Sequence, residues 1–139
     1  MKLIKRMVVL LCVVGFSGCA TLSTVSDAAQ SAGISKEFNS DIELTKSYVL
    51  TSMGRLNINI VKTFENERGF NILFSKGRQS DFSSKASYGE VGRVLIYKKG
   101  GTTIVSVHSI TRLIVQVGGT DEQDFATAIF TGMNELINR

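Results

Sequence analysis

Between Asp41 and about Met53 the apolar residues recur at helical spacing. Ile42, Val49 and Leu56 make a stripe, with Leu44 and Tyr48 beside it. Asn39 or Ser40 is placed to cap this helix, Ser40 and Glu43 have capping-box spacing, and Gly54 is placed to stop it. The period then changes to two. Ile58, Ile60 and Phe64 alternate with Asn57, Asn59 and Thr63, with Lys62 an exception on the apolar side. Beyond the polar turn Glu65–Gly69, Phe70, Ile72 and Phe74 alternate again. This pair predicts one hairpin. Val91–Lys98 and Thr102–Thr111 predict a second around Lys99-Gly100-Gly101, where glycine permits the positive φ of a tight turn. Leu113–Val117 either extends the last strand or forms a short fifth one, ended by Gly118-Gly119. A final helix follows, with Thr120 as cap, Gln123 completing a capping box, and acidic Asp121, Glu122 and Asp124 at its positive end. Its stripe is Phe125, Ile129, Met133 and Leu136, widened by Ala126, Phe130 and Ile137. The order predicts an α+β fold: an antiparallel sheet of four to five strands, in two hairpins, packed against an N-terminal and a C-terminal helix.

The first 18 residues belong to a different pattern. Met1–Arg6 is short and basic, Met7–Phe16 is apolar and uncharged, and the small residues Ser17 and Gly18 stand before Cys19. These are the three regions of an export signal. An apolar run of ten residues is too short to cross a bilayer as a helix, which takes about 20. Phe16-Ser17-Gly18-Cys19 resembles the lipobox of bacterial lipoproteins, with Phe16 where that family usually has Leu. The resemblance implies cleavage between Gly18 and Cys19, and a diacylglycerol on the Cys19 thiol with acylation of the new amine. Several acyl chains hold a protein stably, whereas one binds only marginally. Ala20, rather than Asp, after the cysteine implies by the same resemblance the outer membrane, facing the periplasm. The element order of the mature part also resembles that of small bacterial lipoproteins, which carry no known active site onto these residues.

The chain therefore divides into a signal peptide at 1–18, a lipidated flexible tether at 19–37, and a single α+β domain at 38–139. The tether is small and polar, and would let the domain stand off the membrane by roughly 20–25 Å on average. Between the hairpins, Ser75–Gly89 reads as a long polar loop. Its Lys76, Arg78 and Lys85, with Phe82 and Tyr88, could make an electrostatic and stacking surface, or simply a solvated loop.

Charge changes the picture only after the leader is removed. The whole chain carries +4, but Lys2, Lys5 and Arg6 lie in the leader, leaving 13 basic against 12 acidic residues. A nucleic-acid partner loses its electrostatic support. Of the two cysteines, Cys12 lies in the leader, so the mature chain has no intramolecular disulfide.

Candidate chemistry is sparse. His108 is the single histidine, flanked by Val107 and Ser109 in a strand, and no motif supplies triad partners. One histidine and one alkylated cysteine make a poor zinc site. Gly89–Gly92 and Gly100-Gly101 match no phosphate-binding loop, and the Gly118-Gly119-Thr120 helix start is crowded by acid. Glu65 and Glu67 lie in a turn, without the burial that raises a general acid's pKa. The reading is no catalytic residue, no metal, no cofactor, and a non-enzymatic interaction or structural module. Its partners would be the membrane, through the N-terminal lipid, and an envelope protein or wall component. The second reading is a periplasmic module binding a lipid or small apolar ligand in a cavity lined by Phe64, Phe74 and Phe130. If Cys19 is the anchor, Cys19→Ala leaves the membrane fraction and loses the lipid mass by intact-protein mass spectrometry. A variant still partitioning with membranes would defeat the assignment.

Overall fold

A computed structural model describes residues 21–76, 89–110 and 120–139. The elements in chain order are α1 (Leu22–Asp27), β1 (Ile34–Phe38), α2 (Ile42–Arg55), β2 (Asn59–Asn66), β3 (Gly69–Ser75), β4 (Val91–Lys99), β5 (Thr102–Ile110) and α3 (Glu122–Ile137). The five strands form one antiparallel sheet in the order β1-β5-β4-β3-β2, so the fold is α+β, as the periodicities predict.

Alternation divides the central strands cleanly. Ile72 and Phe74 of β3, Val94 and Ile96 of β4, and Val105 and Val107 of β5 are fully buried in one core with Val49 and Met53 of α2 and Phe125, Ile129 and Met133 of α3. Each such side chain contributes about 1.5–3 kcal/mol by leaving water. Phe74 lies opposite Gly92 in the β3–β4 register, and its ring fills the space a β-carbon at Gly92 would need. The ring then meets Phe125 with centroids 5.1 Å apart. α2 and α3 approach closely where Ser52 faces Gly132, and the Ser52 hydroxyl donates to the Ile129 carbonyl at 3.0 Å.

The helices differ from expectation mainly at their ends. Asp41, not Asn39 or Ser40, caps α2 by accepting from the Glu43 amide at 2.9 Å, and this bond, the largest cause, holds its carboxyl below the usual aspartate value. Ser40 bonds the Thr45 hydroxyl instead. Gly54 does not stop the helix. Asn57 does, in left-handed conformation (φ 52°), with its amide on the Gly54 carbonyl and the Ile58 amide on Met53, each at 3.1 Å. That is a Schellman ending with Asn in the glycine position. The buried face of α2 is Thr45, Val49, Ser52 and Met53, while Leu44 points outward. Thr45 is buried because its hydroxyl back-bonds to the Asp41 carbonyl. α3 is capped by Asp121 and not Thr120, and Asp124 rather than Gln123 closes the capping box.

Two larger corrections concern the N-terminal segment and β2. The stretch read as a tether at 19–37 carries α1 and most of β1. β1 is the fifth strand of the sheet; the alternative at Leu113–Val117 lies outside the described residues. Ile34 and Phe38 alternate correctly, but Lys36 stands between them, and its ammonium rests 5.5 Å from the Phe38 ring centre while the strand keeps its inward face. In β2 the register slips between Ile60 and Lys62, leaving Val61 as a bulge. The extra residue reverses the phase, so Ile60 packs with the α2–α3 core and Phe64 joins the opposite side. Lys62 thus ceases to be an exception among helix-facing apolar residues.

Gly92→Ala should destabilise the fold by about 1–3 kcal/mol, because the new methyl displaces the Phe74 ring. Denaturant titration of Gly92→Ala, Phe74→Leu and the double variant should show the double costing less than the sum of the singles. Additive costs would mean that the ring and the glycine are not coupled.

Candidate functional site

A sheet with helices on one face leaves its other face to be covered. Here residues 21–33 do this. Val25 is fully buried against Leu73 and Val91, with Leu22, Phe64 and Ile110 around them. β4 then places Arg93 on this side, opposite Leu73 of β3 and His108 of β5. Arg93 is 1% exposed, the largest side chain buried to that degree among the described residues.

Its guanidinium is held by main-chain carbonyls in the last turn of α1 and just past it. One terminal nitrogen donates to Ser26 at 3.2 Å and Ala28 at 2.8 Å, and the other donates to Ala29 at 2.8 Å. Arg68, from the β2–β3 turn, donates to the same Ala28 carbonyl at 2.8 Å. A short helix leaves its last carbonyls unpaired, and a planar guanidinium reaches several of them at once. Burial first, and Arg68 second, lower the affinity of Arg93 for its proton. It nevertheless stays charged, as arginine does in proteins. The Nε of Arg93 has no partner among the described residues. Gln30 and Ser106 complete the attachment, bonding the Arg68 carbonyl at 3.4 Å and the Ala32 carbonyl at 3.0 Å.

A second polar cluster joins the ends of three elements. Lys76 follows β3, Glu90 precedes β4, and Thr120 precedes α3; all three are buried. The Lys76 ammonium donates to the Thr120 hydroxyl, and the Thr120 amide donates to the Glu90 carboxylate at 3.1 Å. Lys76 therefore does not join an exposed electrostatic surface; the other residues of that expected surface, Arg78, Phe82, Lys85 and Tyr88, lie outside the described residues.

His108 and Glu122 form a third pair. One Glu122 oxygen lies 2.6 Å from His108 Nδ1 and accepts from the Ser109 amide at 3.0 Å. β1 pairs with β5 only as far as Val107, so the carboxylate serves a strand edge that β1 has left. Both side chains are partly exposed, and a histidine oriented by a carboxylate can move protons. No group of three His, Cys, Asp or Glu among the described residues is arranged to hold a metal.

Gly18 and Cys19, the predicted cleavage and lipidation residues, lie outside the described residues. Among those described, no helix is long and apolar enough to cross a membrane. Of the expected cavity residues, Phe74 and Phe130 share the helix-side core, packed on Phe125 and Phe38, while Phe64 lies across the sheet with Val25. The Val61 bulge separates Phe64 from the other two. Arg93 escaped the sequence reading because a lone arginine in a strand signals nothing about its distant carbonyl partners. No protein-family model matches the chain, and no curated protein matches it.

Arg93→Met should cost about 1–3 kcal/mol, from carbonyls left buried without a donor. Hydrogen exchange should show residues 21–33 opening before the α2–α3 core. Arg93→Lys should not restore protection, since one ammonium cannot span three carbonyls. Arg68→Met, at an exposed residue, should do less.

Proposed function

We propose that the protein is a lipid-anchored lipoprotein of the bacterial envelope, acting as a non-enzymatic interaction or structural module at the outer membrane. The observation that carries this reading is the leader: a basic start, a ten-residue apolar run and Ser17-Gly18 before Cys19. The role of Cys19 is chemical, as the thiol that takes the glyceride. The rest of the chain presents surfaces for contact.

The surface that best suits a partner is the outer edge of β2. Among the described residues, β2 ends the sheet, pairs with β3 alone, and carries Val61 at 47% exposure on its bulge. Free strand edges accept an added strand, with main-chain bonds giving affinity and side-chain pockets giving selectivity. The opposite edge, β1, is shorter. An envelope protein with an extended segment fits this edge better than a wall glycan, which offers no strand to pair.

A photo-crosslinking residue placed at Val61 in cells should give a discrete protein adduct in the envelope fraction. The same residue at Leu44, exposed on α2, should give none. Adducts at Leu44 alone, or a Val61 adduct that muramidase digestion removes, would count against a protein partner on β2.

A further inference from the structure

α1 starts at Leu22, so only Ala20 and Thr21 lie between the lipidation residue and folded chain. Three residues of extended backbone reach at most about 10 Å. A flexible tether of 17 residues would reach roughly 20–25 Å on average and let the domain tumble. The folded N-terminal segment removes that freedom.

The direction of α1 then decides which part of the domain is near the lipid. Its C-terminal end is held between Arg93 of β4 and Arg68 of the β2–β3 turn, both donating to the Ala28 carbonyl. Six residues of helix extend about 9 Å away from that point. The N-terminal part, Leu22 and Val25, packs in the cluster containing Leu73, Val91 and Ile110, with Phe64 of β2 on its other side. Val91 starts β4, Ile110 ends β5, and Leu73 lies near the end of β3. The chain therefore emerges at this rim of the sheet. The β4–β5 turn at Gly100-Gly101 lies at the far end of a nine-residue strand, roughly 30 Å away.

We infer that the rim where β3 ends, β4 begins and β5 ends faces the lipid bilayer, held there by the short link from Cys19 to α1. This rests on the lipoprotein reading above. The occupant is the lipid surface itself, set by the length of chain between anchor and fold. Charge plays little part, because the chain beyond the leader has 13 basic and 12 acidic residues. The β4–β5 turn and the start of α2 then point away from the membrane, and the β2 edge stands upright beside it, open to a partner.

The test uses the full lipidated protein, purified from membranes, with Ser23→Cys or Gly101→Cys as the single labelling site. Cys19 is alkylated, Ser23 is exposed, and a β-carbon at Gly101 meets nothing within 4 Å. Each labelled protein is reconstituted into phosphatidylethanolamine–phosphatidylglycerol vesicles carrying a headgroup nitroxide quencher. Most fluorescence should be lost at position 23 and most retained at position 101, with little change in high salt. Inserting 15 Gly and Ser residues after Ala20 should erase the difference. Equal quenching at both sites in protein whose mass includes the lipid would overturn the orientation and leave the lipoprotein reading standing. Protein that lacks the lipid mass would overturn both.

Discussion

A sheet of five strands has two apolar faces to remove from water, and the two long helices among the described residues both lie on one face. The other face is closed by a 13-residue segment that could not bury itself alone, and the buried guanidinium of Arg93 fixes it there. The arrangement is reciprocal. The carbonyls at the end of α1 need donors because the helix is too short to satisfy them, and Arg93 needs acceptors because β4 carries it into a dry layer. Hydrophobic contact through Val25 supplies the attraction, but it is non-directional. The guanidinium fork selects one position for the segment. β4, covered on both sides, becomes the most enclosed strand of the sheet.

That closure also sets the edges of the sheet. With residues 21–33 bound, β1 is delivered to the free edge of β5, and Glu122 satisfies the edge amide that β1 does not reach. Among the described residues, β2 is then the strand edge left open. The same segment makes what reads as a tether into folded chain from Leu22 onward, packed on the second sheet face.

The strands of both hairpins and the two long helices were legible because each repeats its apolar residues at the period of its own backbone. Ile72 and Phe74, or Phe125, Ile129 and Met133, announce their inward faces without reference to any partner. β1 was not legible: Lys36 interrupts its inward row, and the burial of its stem over Phe38 appears only when β5 lies alongside. The Val61 bulge was hidden too. A bulge adds one residue without a local sequence signal, and that one residue moved Phe64 to the other side of the sheet and separated it from Phe74 and Phe130. Helix caps shifted by a residue or two because Asn39, Ser40 and Asp41, or Thr120 and Asp121, are comparable oxygen acceptors and local sequence does not rank them.

What the sequence alone determined is local chemistry: the basic and then apolar stretch before Cys19, the near-neutral charge of the remainder, the α+β class and the inward faces of the regular elements. Each follows from neighbouring residues and backbone periodicity. The tertiary structure decided which polar groups are buried and what they hold. Arg93 and the Ala28 carbonyl are 65 residues apart, and Lys76 and Thr120 are 44 apart. A buried charge is tolerable only beside partners that the fold brings to it, so its role can be read only after the fold exists.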